Sequence, residues 1–380
     1  MPESALSAWR GTFDDVVASA VRTTGLDDFG GDEHVEGLRI LVEDYAGAAG
    51  LTEAGAKRMR GGLKGLLVAR LIAEHGIKER PKVLGRPIRR PIVVTGLPRS
   101  GTTLLQRLLT AVPGHQGLES WLSDLPQPRP PRETWDDDPI FSAMQAGYLA
   151  YHESNPELAG LHYSDAASYE ECWRLLQQSG RSVAFETQAH VPAYSAWLET
   201  ADWTPAYARH RRLLQLIGAN DPDKRWVLKN PSHLMALDAL LETYPDAIVV
   251  QTHRDPVTCV ASMCSLAEAS TRGTSTAFVG DVIGRTQLDL LRREVEAAAR
   301  VRSSLPPDRI HDVAYADLVA DPVGTVGAVL TGAGLTWDEE AQQAVQVELA
   351  VSREGVRAPR HSYDLADYGL TEEQVRSTLA

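Results

Sequence analysis

The sequence contains little that could hold it in a membrane. Its longest apolar stretch near the start, GLLVARLIA, is interrupted by Arg70. It falls well short of the roughly 20 apolar residues that a spanning helix needs. The opening residues, MPESALSAWRGTFDDVV, show no basic segment followed by an apolar one. No secretory signal is therefore expected, and the protein is expected to be cytoplasmic. Cysteine is scarce: Cys172, Cys259 and Cys264 cannot all pair within one chain, and no second Cys/His pair accompanies the closely spaced two. Buried free thiols in a reducing compartment are the expectation. Positive charge is in deficit, with 38 Lys and Arg against 51 Asp and Glu and a formal net charge of −13. That argues against a general nucleic-acid binder, whose affinity rests on many cationic contacts, while leaving room for one locally basic pocket.

With 380 residues, 43 % of them hydrophobic and 23 % charged, the chain has the make-up of an ordinary globular protein with a large core. Residues 1 to about 85 read as a helical N-terminal region. LSAWRGTFDDVVASAV, DEHVEGLRILVEDYAG and LTEAGAKRMRGGLKGLLVARLIAEHG each place apolar residues three and four apart, and Thr52 stands where a helix cap would. RPKVLGRPIRRP is a connecting segment, punctuated by proline.

From residue 86 the period changes. The runs PIVVTG, RWVLKN, DAIVVQT and DRIHDVAY are short and β-branched, with helical stretches between them. That alternation predicts an α/β fold, a parallel sheet flanked by helices on both faces. A long insertion, about residues 112 to 224, holds the proline-rich DLPQPRPPRETW and the helix-like AASYEECWRLLQQ and TPAYARHRRLLQLIG. It is expected to cap the carboxyl ends of the strands, where open α/β sheets bind their ligands.

One further absence directs the functional reading. PIVVTGLPRSGTTLLQRLLT has the strand, the Gly96-to-Gly101 spacing and the helix of a phosphate-binding loop, but Thr102 replaces the lysine of GxxxxGK[ST]. The cation sits inside the loop instead, as Arg99. Ser100, Thr102 and Thr103 add hydroxyls to the backbone N–H groups of a helix start, which together make an anion site. In IVVQTHRDPVTCVASM, Arg254 follows the strand, Ser262 lies eight residues on, and Pro256 suits the first turn of a helix. Arginine at that strand end points to the same sheet edge as the loop, and its fork suits phosphate. Asp255 does not directly follow the apolar run, which weakens a magnesium-dependent ATPase reading.

These motifs resemble those of the sulfotransferases that use 3′-phosphoadenosine 5′-phosphosulfate (PAPS). GLPRSGTTLL is similar to their 5′-phosphosulfate loop and HRDPVTCVAS to their 3′-phosphate motif. WVLKNPSHLMALDALLETYPDAIVVQTHRDP and RHSYDLADYGLT are similar to a bacterial branch of the family. The resemblance spans about residues 90 to 370. It implies a P-loop-like fold, PAPS as co-substrate, no metal, and in-line transfer of a sulfonate to a hydroxyl acceptor.

It also implies roles residue by residue. Ser100, Gly101, Thr102 and Thr103 hold the 5′-phosphate, and Arg254 and Ser262 the 3′-phosphate. Lys229 lies near the sulfonate and Tyr315 near the adenine. Arg99 stabilises the charge developing on the bridging oxygen, as a donor that cannot itself give up a proton. Many family members carry lysine at that position, although arginine is common in this branch. Arg353, Arg357 and Arg360 are candidates to complete the 3′-phosphate site.

A base is needed to accept the acceptor's proton. Glu119 is the first choice, since it resembles the glutamate of protein-tyrosine and some bacterial members. His233 is the second, although it stands farther from Lys229 than the family's histidine does from its lysine. His253 reads as structural. Glu170 and Glu171 read as charges on a helix face, pointing about 100° apart. Trp121, Trp135, Trp173, Trp197, Trp203, Tyr148 and Tyr163 either line an acceptor pocket or pack the cap. The rival readings are an ATP- or GTP-dependent phosphotransferase and a non-catalytic nucleotide-binding protein.

Overall fold

A computed structural model describes residues 7–154, 164–306, 309–354 and 364–380. The chain begins with three helices, α1 (Phe13–Thr24), α2 (Val35–Ala46) and α3 (Glu53–Glu79). Thr12 caps α1 in a reciprocal box with Asp15. The Thr52 hydroxyl accepts from the Gly55 N–H at 3.1 Å and so starts α3 where the sequence marked it.

Five parallel strands follow: β1 (Ile92–Gly96), β2 (His115–Gln116), β3 (Arg225–Lys229), β4 (Ile248–His253) and β5 (Ile310–Ala314). Their order is β2-β3-β1-β4-β5. β1 is therefore central, and its register sets Val94 beside Lys229 on one side and Gly96 beside Thr252 on the other. Lys229 and Thr252, widely separated in sequence, thus flank the mouth of one strand. The four strand runs legible in the sequence all form. The two-residue β2 is an addition, too short to show a period.

Alternation along β1 splits the interior into two cores. Val93, Leu228 and Val249 face a core shared with α1–α3 and the insertion, including Leu41, Leu67, Trp121 and Tyr207. Ile92, Val94, Val227 and Val250 face the other way. They pack on Leu105, Leu108 and Leu109 of helix α4 (Thr102–Thr110) and on Val326 and Val345. Both faces of the sheet are covered, which is why its strands read as apolar runs.

Buried charge also joins the N-terminal helices to the insertion. Arg70, fully buried, donates to the carbonyls of Phe29 (2.8 Å) and Gln178 (2.5 Å) and to Glu33. Arg209 pairs with Glu74 at 2.6 Å. In the insertion, TPAYARHRRLLQLI forms the expected helix, Thr204–Ile217. The other stretch corrects the sequence reading. Only Trp173–Gln177 of AASYEECWRLLQQ is helical; Tyr169 forms an isolated antiparallel bridge with Glu119, and residues 170–171 are irregular.

Candidate active site

The loop after β1 turns on two glycines. Gly96 has φ +133°, and a Cβ there would lie 2.4 Å from both the carbonyl oxygen and the hydroxyl of Thr252. Gly101 has φ +94° and starts α4, close against Tyr315 and Leu318. Between them Arg99 adopts φ +70°, which costs a residue with a side chain roughly 1–3 kcal/mol. Two contacts hold it there. Arg254 Nη1 donates to the Arg99 carbonyl at 2.8 Å, and Arg99 Nε donates to Ser262 Oγ at 3.2 Å.

The Arg254 guanidinium also lies over the Tyr315 ring, 4.1 Å from its centroid. Arg99, Arg254, Ser262 and Tyr315 thus form one connected group at the carboxyl ends of β1, β4 and β5. Asp255 caps the helix Pro256–Thr271 by accepting from Thr258 N at 3.1 Å, with Pro256 in the first turn as the sequence indicated. This turns Arg254 toward the loop and puts Ser262 in the helix's second turn. Ser100 is fully buried and shares a 2.5 Å hydrogen bond with Thr252 Oγ1, so its hydroxyl braces the loop against β4. Thr102 is buried in the first turn of α4.

On the other side of β1, Lys229 ends β3 with its side chain 1 % exposed. Its ammonium donates to Thr103 Oγ1 at 3.3 Å and to Glu171 Oε1 at 2.5 Å. The lysine does not face bulk water. Glu171 is the residue that the sequence reading set aside. It lies in an irregular segment that replaces the expected helix, held by Glu170 N–H to Leu118 O at 2.7 Å and Cys172 N–H to Lys229 O at 2.8 Å. Gln106 of α4 adds a bond to the Glu170 carbonyl at 3.3 Å. The backbone aims Glu171 at Lys229, and helical spacing does not apply. No local sequence signal marks it, because two adjacent glutamates ahead of an apolar run fit a helix as well as a loop.

Burial, with Glu186 and Glu171 adding repulsion, raises the nearby Glu294 carboxyl to about 8. At neutral pH Glu294 is mostly neutral, and the acidic side chain in contact with Lys229 is that of Glu171.

The two base candidates named from sequence have other partners. Glu119 is buried, and its Oε2 accepts from Arg129 Nη2 at 2.9 Å and Nε at 3.1 Å. Arg129 is tied in turn to Gln116, Gly117 and Asp221. Burial holds the Glu119 carboxyl above its ordinary range although Arg129 pulls it down. His233 is fully buried, and its Nδ1 shares a 2.8 Å hydrogen bond with the Tyr207 hydroxyl. None of these contacts includes a loop residue.

His253 meets Asp312 at 2.5 Å. Trp121 and Trp135 pack with Phe141 at centroid distances of 5.4–5.5 Å inside the core, and Tyr148 donates to Asp124 at 2.9 Å. The side chain of Arg353, together with Arg357, Arg360 and Tyr163, lies outside the described residues. Among the described residues no helix is long and apolar enough to cross a membrane.

His233 belongs to a buried cluster with His210, whose Nδ1 shares a 2.8 Å bond with the Tyr244 hydroxyl. Burial lowers the His210 pKa to about 3. The folded state therefore holds His210 neutral while the unfolded chain protonates it below about 6.5. Its contribution to stability is complete above that pH and is lost as the pH falls from about 6.5 toward 3. Urea unfolding of His210→Gln at several pH values should show a pH dependence shallower than wild type. The expected difference is about 1.4 kcal/mol per pH unit between 6 and 4.

A parallel sheet with a glycine loop and an arginine-bearing neighbour strand at one edge defines a nucleotide-phosphate-binding α/β protein of the P-loop kind. The comparisons make this specific. Residues 91–339 match the sulfotransferase family, and the chain belongs to it. The structure is similar to that of sulfotransferase STF1 from Mycobacterium tuberculosis H37Rv, with 51 % identity and a TM-score of 0.90 over 97 % of this chain and 98 % of the other. Sulfotransferase STF9 from Mycobacterium avium gives 27 % identity and a TM-score of 0.88 over 97 % and 94 %. The chain is also 27 % identical over 256 residues to the omega-hydroxy-beta-dihydromenaquinone-9 sulfotransferase Stf3 of Mycobacterium bovis. That match takes in 64 % of this chain and 63 % of the relative's length.

Proposed function

We propose that the protein transfers a sulfonate from PAPS to the hydroxyl of an apolar, lipid-like acceptor. The observation that supports the donor reading best is the joined group of Arg99, Arg254, Ser262 and Tyr315 beside a loop whose Thr102 replaces the lysine a triphosphate needs. Arg254 and Ser262 would hold the 3′-phosphate, with Tyr315 beside the adenine. The N–H groups at the start of α4, with Thr102 and Thr103, would hold the 5′-phosphate, and Ser100 braces them from below. Arg99 uses Nε on Ser262. Its terminal nitrogens make no hydrogen bond or ion pair among the described residues and are the donors left for charge developing between sulfur and phosphorus. Support for a lipid-like acceptor comes from the menaquinone in the name of the Mycobacterium bovis relative.

Calorimetric titration tests the donor reading. Adenosine 3′,5′-bisphosphate should bind tightly without magnesium, and ATP with magnesium only weakly. The reverse order would sink the sulfonate-donor assignment in favour of a phosphotransferase. Transfer of labelled sulfonate to a hydroxylated polyprenyl quinone, compared with a water-soluble phenol, tests the acceptor class.

A further inference from the structure

We propose that the Lys229–Glu171 ion pair is a latch opened by the donor's sulfonate, and that Glu171, once released, takes the proton of the acceptor hydroxyl. This rests on the sulfonate-transfer reading above and adds to it a residue and an order of events.

Lys229 Nζ touches a hydroxyl of the phosphate loop's helix and a carboxylate at once, Thr103 Oγ1 at 3.3 Å and Glu171 Oε1 at 2.5 Å. Thr103 stands in the first turn of α4, where an anion would meet the helix's free N–H groups. A sulfonate arriving there brings negative charge to an ammonium already within reach. The lysine stem is flexible and can follow it.

Glu171 cannot follow as a unit. Its main chain is pinned on both sides by the bonds to Leu118 and Lys229, and its own N–H donates to Glu170 Oε1 at 2.8 Å. Only the side chain swings, and at 21 % exposed it is the open member of the pair, while the lysine is sealed at 1 %. A carboxylate held by an ammonium is a poor proton acceptor, and the same carboxylate becomes a better one when the cation turns to another anion. Donor binding therefore precedes and enables base action.

The step balances. The acceptor O–H bond breaks, with its proton going to Glu171, and the oxygen's electron pair forms the new bond to sulfur. The bond from sulfur to the bridging oxygen breaks, and its pair stays on the 5′-phosphate, leaving adenosine 3′,5′-bisphosphate. Glu171 then loses the proton to solvent on its exposed side as Lys229 returns.

The test needs no identified acceptor. The full chain is titrated with PAPS and with adenosine 3′,5′-bisphosphate as wild type, Glu171→Gln and Lys229→Met. Glu171→Gln frees the lysine, so the preference for PAPS over the bisphosphate should rise about tenfold, while Lys229→Met should abolish it. Hydrolysis of PAPS, with water as the acceptor, should fall about 100-fold or more in Glu171→Gln. An unchanged preference in both variants, with bisphosphate binding intact, overturns the latch and leaves the functional reading standing. Undiminished hydrolysis in Glu171→Gln overturns the proton-acceptor role. If Glu171→Gln does not fold, the preference in Lys229→Met decides alone, and its persistence overturns the latch. A wild type that does not bind the bisphosphate overturns the functional reading and this inference together.

Discussion

Arg254→Ala should lower affinity for adenosine 3′,5′-bisphosphate by about 100- to 1,000-fold in a calorimetric titration. The expected loss of roughly 3–4 kcal/mol is that of truncating a desolvated, hydrogen-bonded charge. Three contributions converge on this one side chain. On the proposed reading it would supply the fork for the 3′-phosphate. It holds the Arg99 carbonyl at 2.8 Å, and with it the left-handed turn of the loop. It also covers Tyr315 from 4.1 Å. Alanine removes all three, so the loop loses its backbone restraint along with its partner charge. Arg254→Lys should restore part of the affinity through charge alone, without the fork or the flat stacking surface. An Arg254→Ala protein that binds within threefold of wild type would show that the 3′-phosphate sits elsewhere.

Gly96→Ala should destabilise the fold by about 3 kcal/mol or more in urea unfolding, and should remove donor binding in whatever protein remains folded. The added methyl would stand 2.4 Å from a backbone oxygen of β4 and 2.4 Å from the Thr252 hydroxyl, at φ +133°. Neither neighbour can yield, because β4 is paired on both sides and Thr252 Oγ1 is held by Ser100. Overpacking and strained backbone therefore act together. Gly61→Ala is the matched contrast. It lies within α3 with no atom within 4 Å of an added Cβ, and should stabilise the protein by about 0.5–1 kcal/mol. Equal stability of the two variants would mean that β1 and β4 are not in the contact described.

Those two strands show why the sequence carries some features openly and hides others. The runs PIVVTG and DAIVVQT declare themselves because each is buried on both faces, so burial alone writes an unbroken apolar word. The loop is legible for a related reason. Gly96, Arg99 and Gly101 act through local backbone conformation, within six residues. Glu171 is different. Its position is set by Leu118 and Lys229, each more than fifty residues away, and its neighbours Trp173 and Leu176 fall at intervals that also fit a helix. Glu119 illustrates the converse error. A glutamate placed just after the loop helix looks available to chemistry, yet Arg129, brought in by the proline-rich turn, holds its Oε2. Long-range backbone pairing and buried ion pairs leave no periodic trace, and the unread part of the site consists of these.

The narrow seam between insertion and sheet has an evolutionary meaning. Residues 170 and 172 are stitched by main-chain bonds to Leu118 and to the end of β3, bonds that any residue but proline at those positions can donate. If the insertion selects the acceptor, its outer residues can change while the carboxylate facing Lys229 keeps its aim. A lineage built this way can change customers without retooling its chemistry. Divergence among its members should then gather in the cap and spare the stitch.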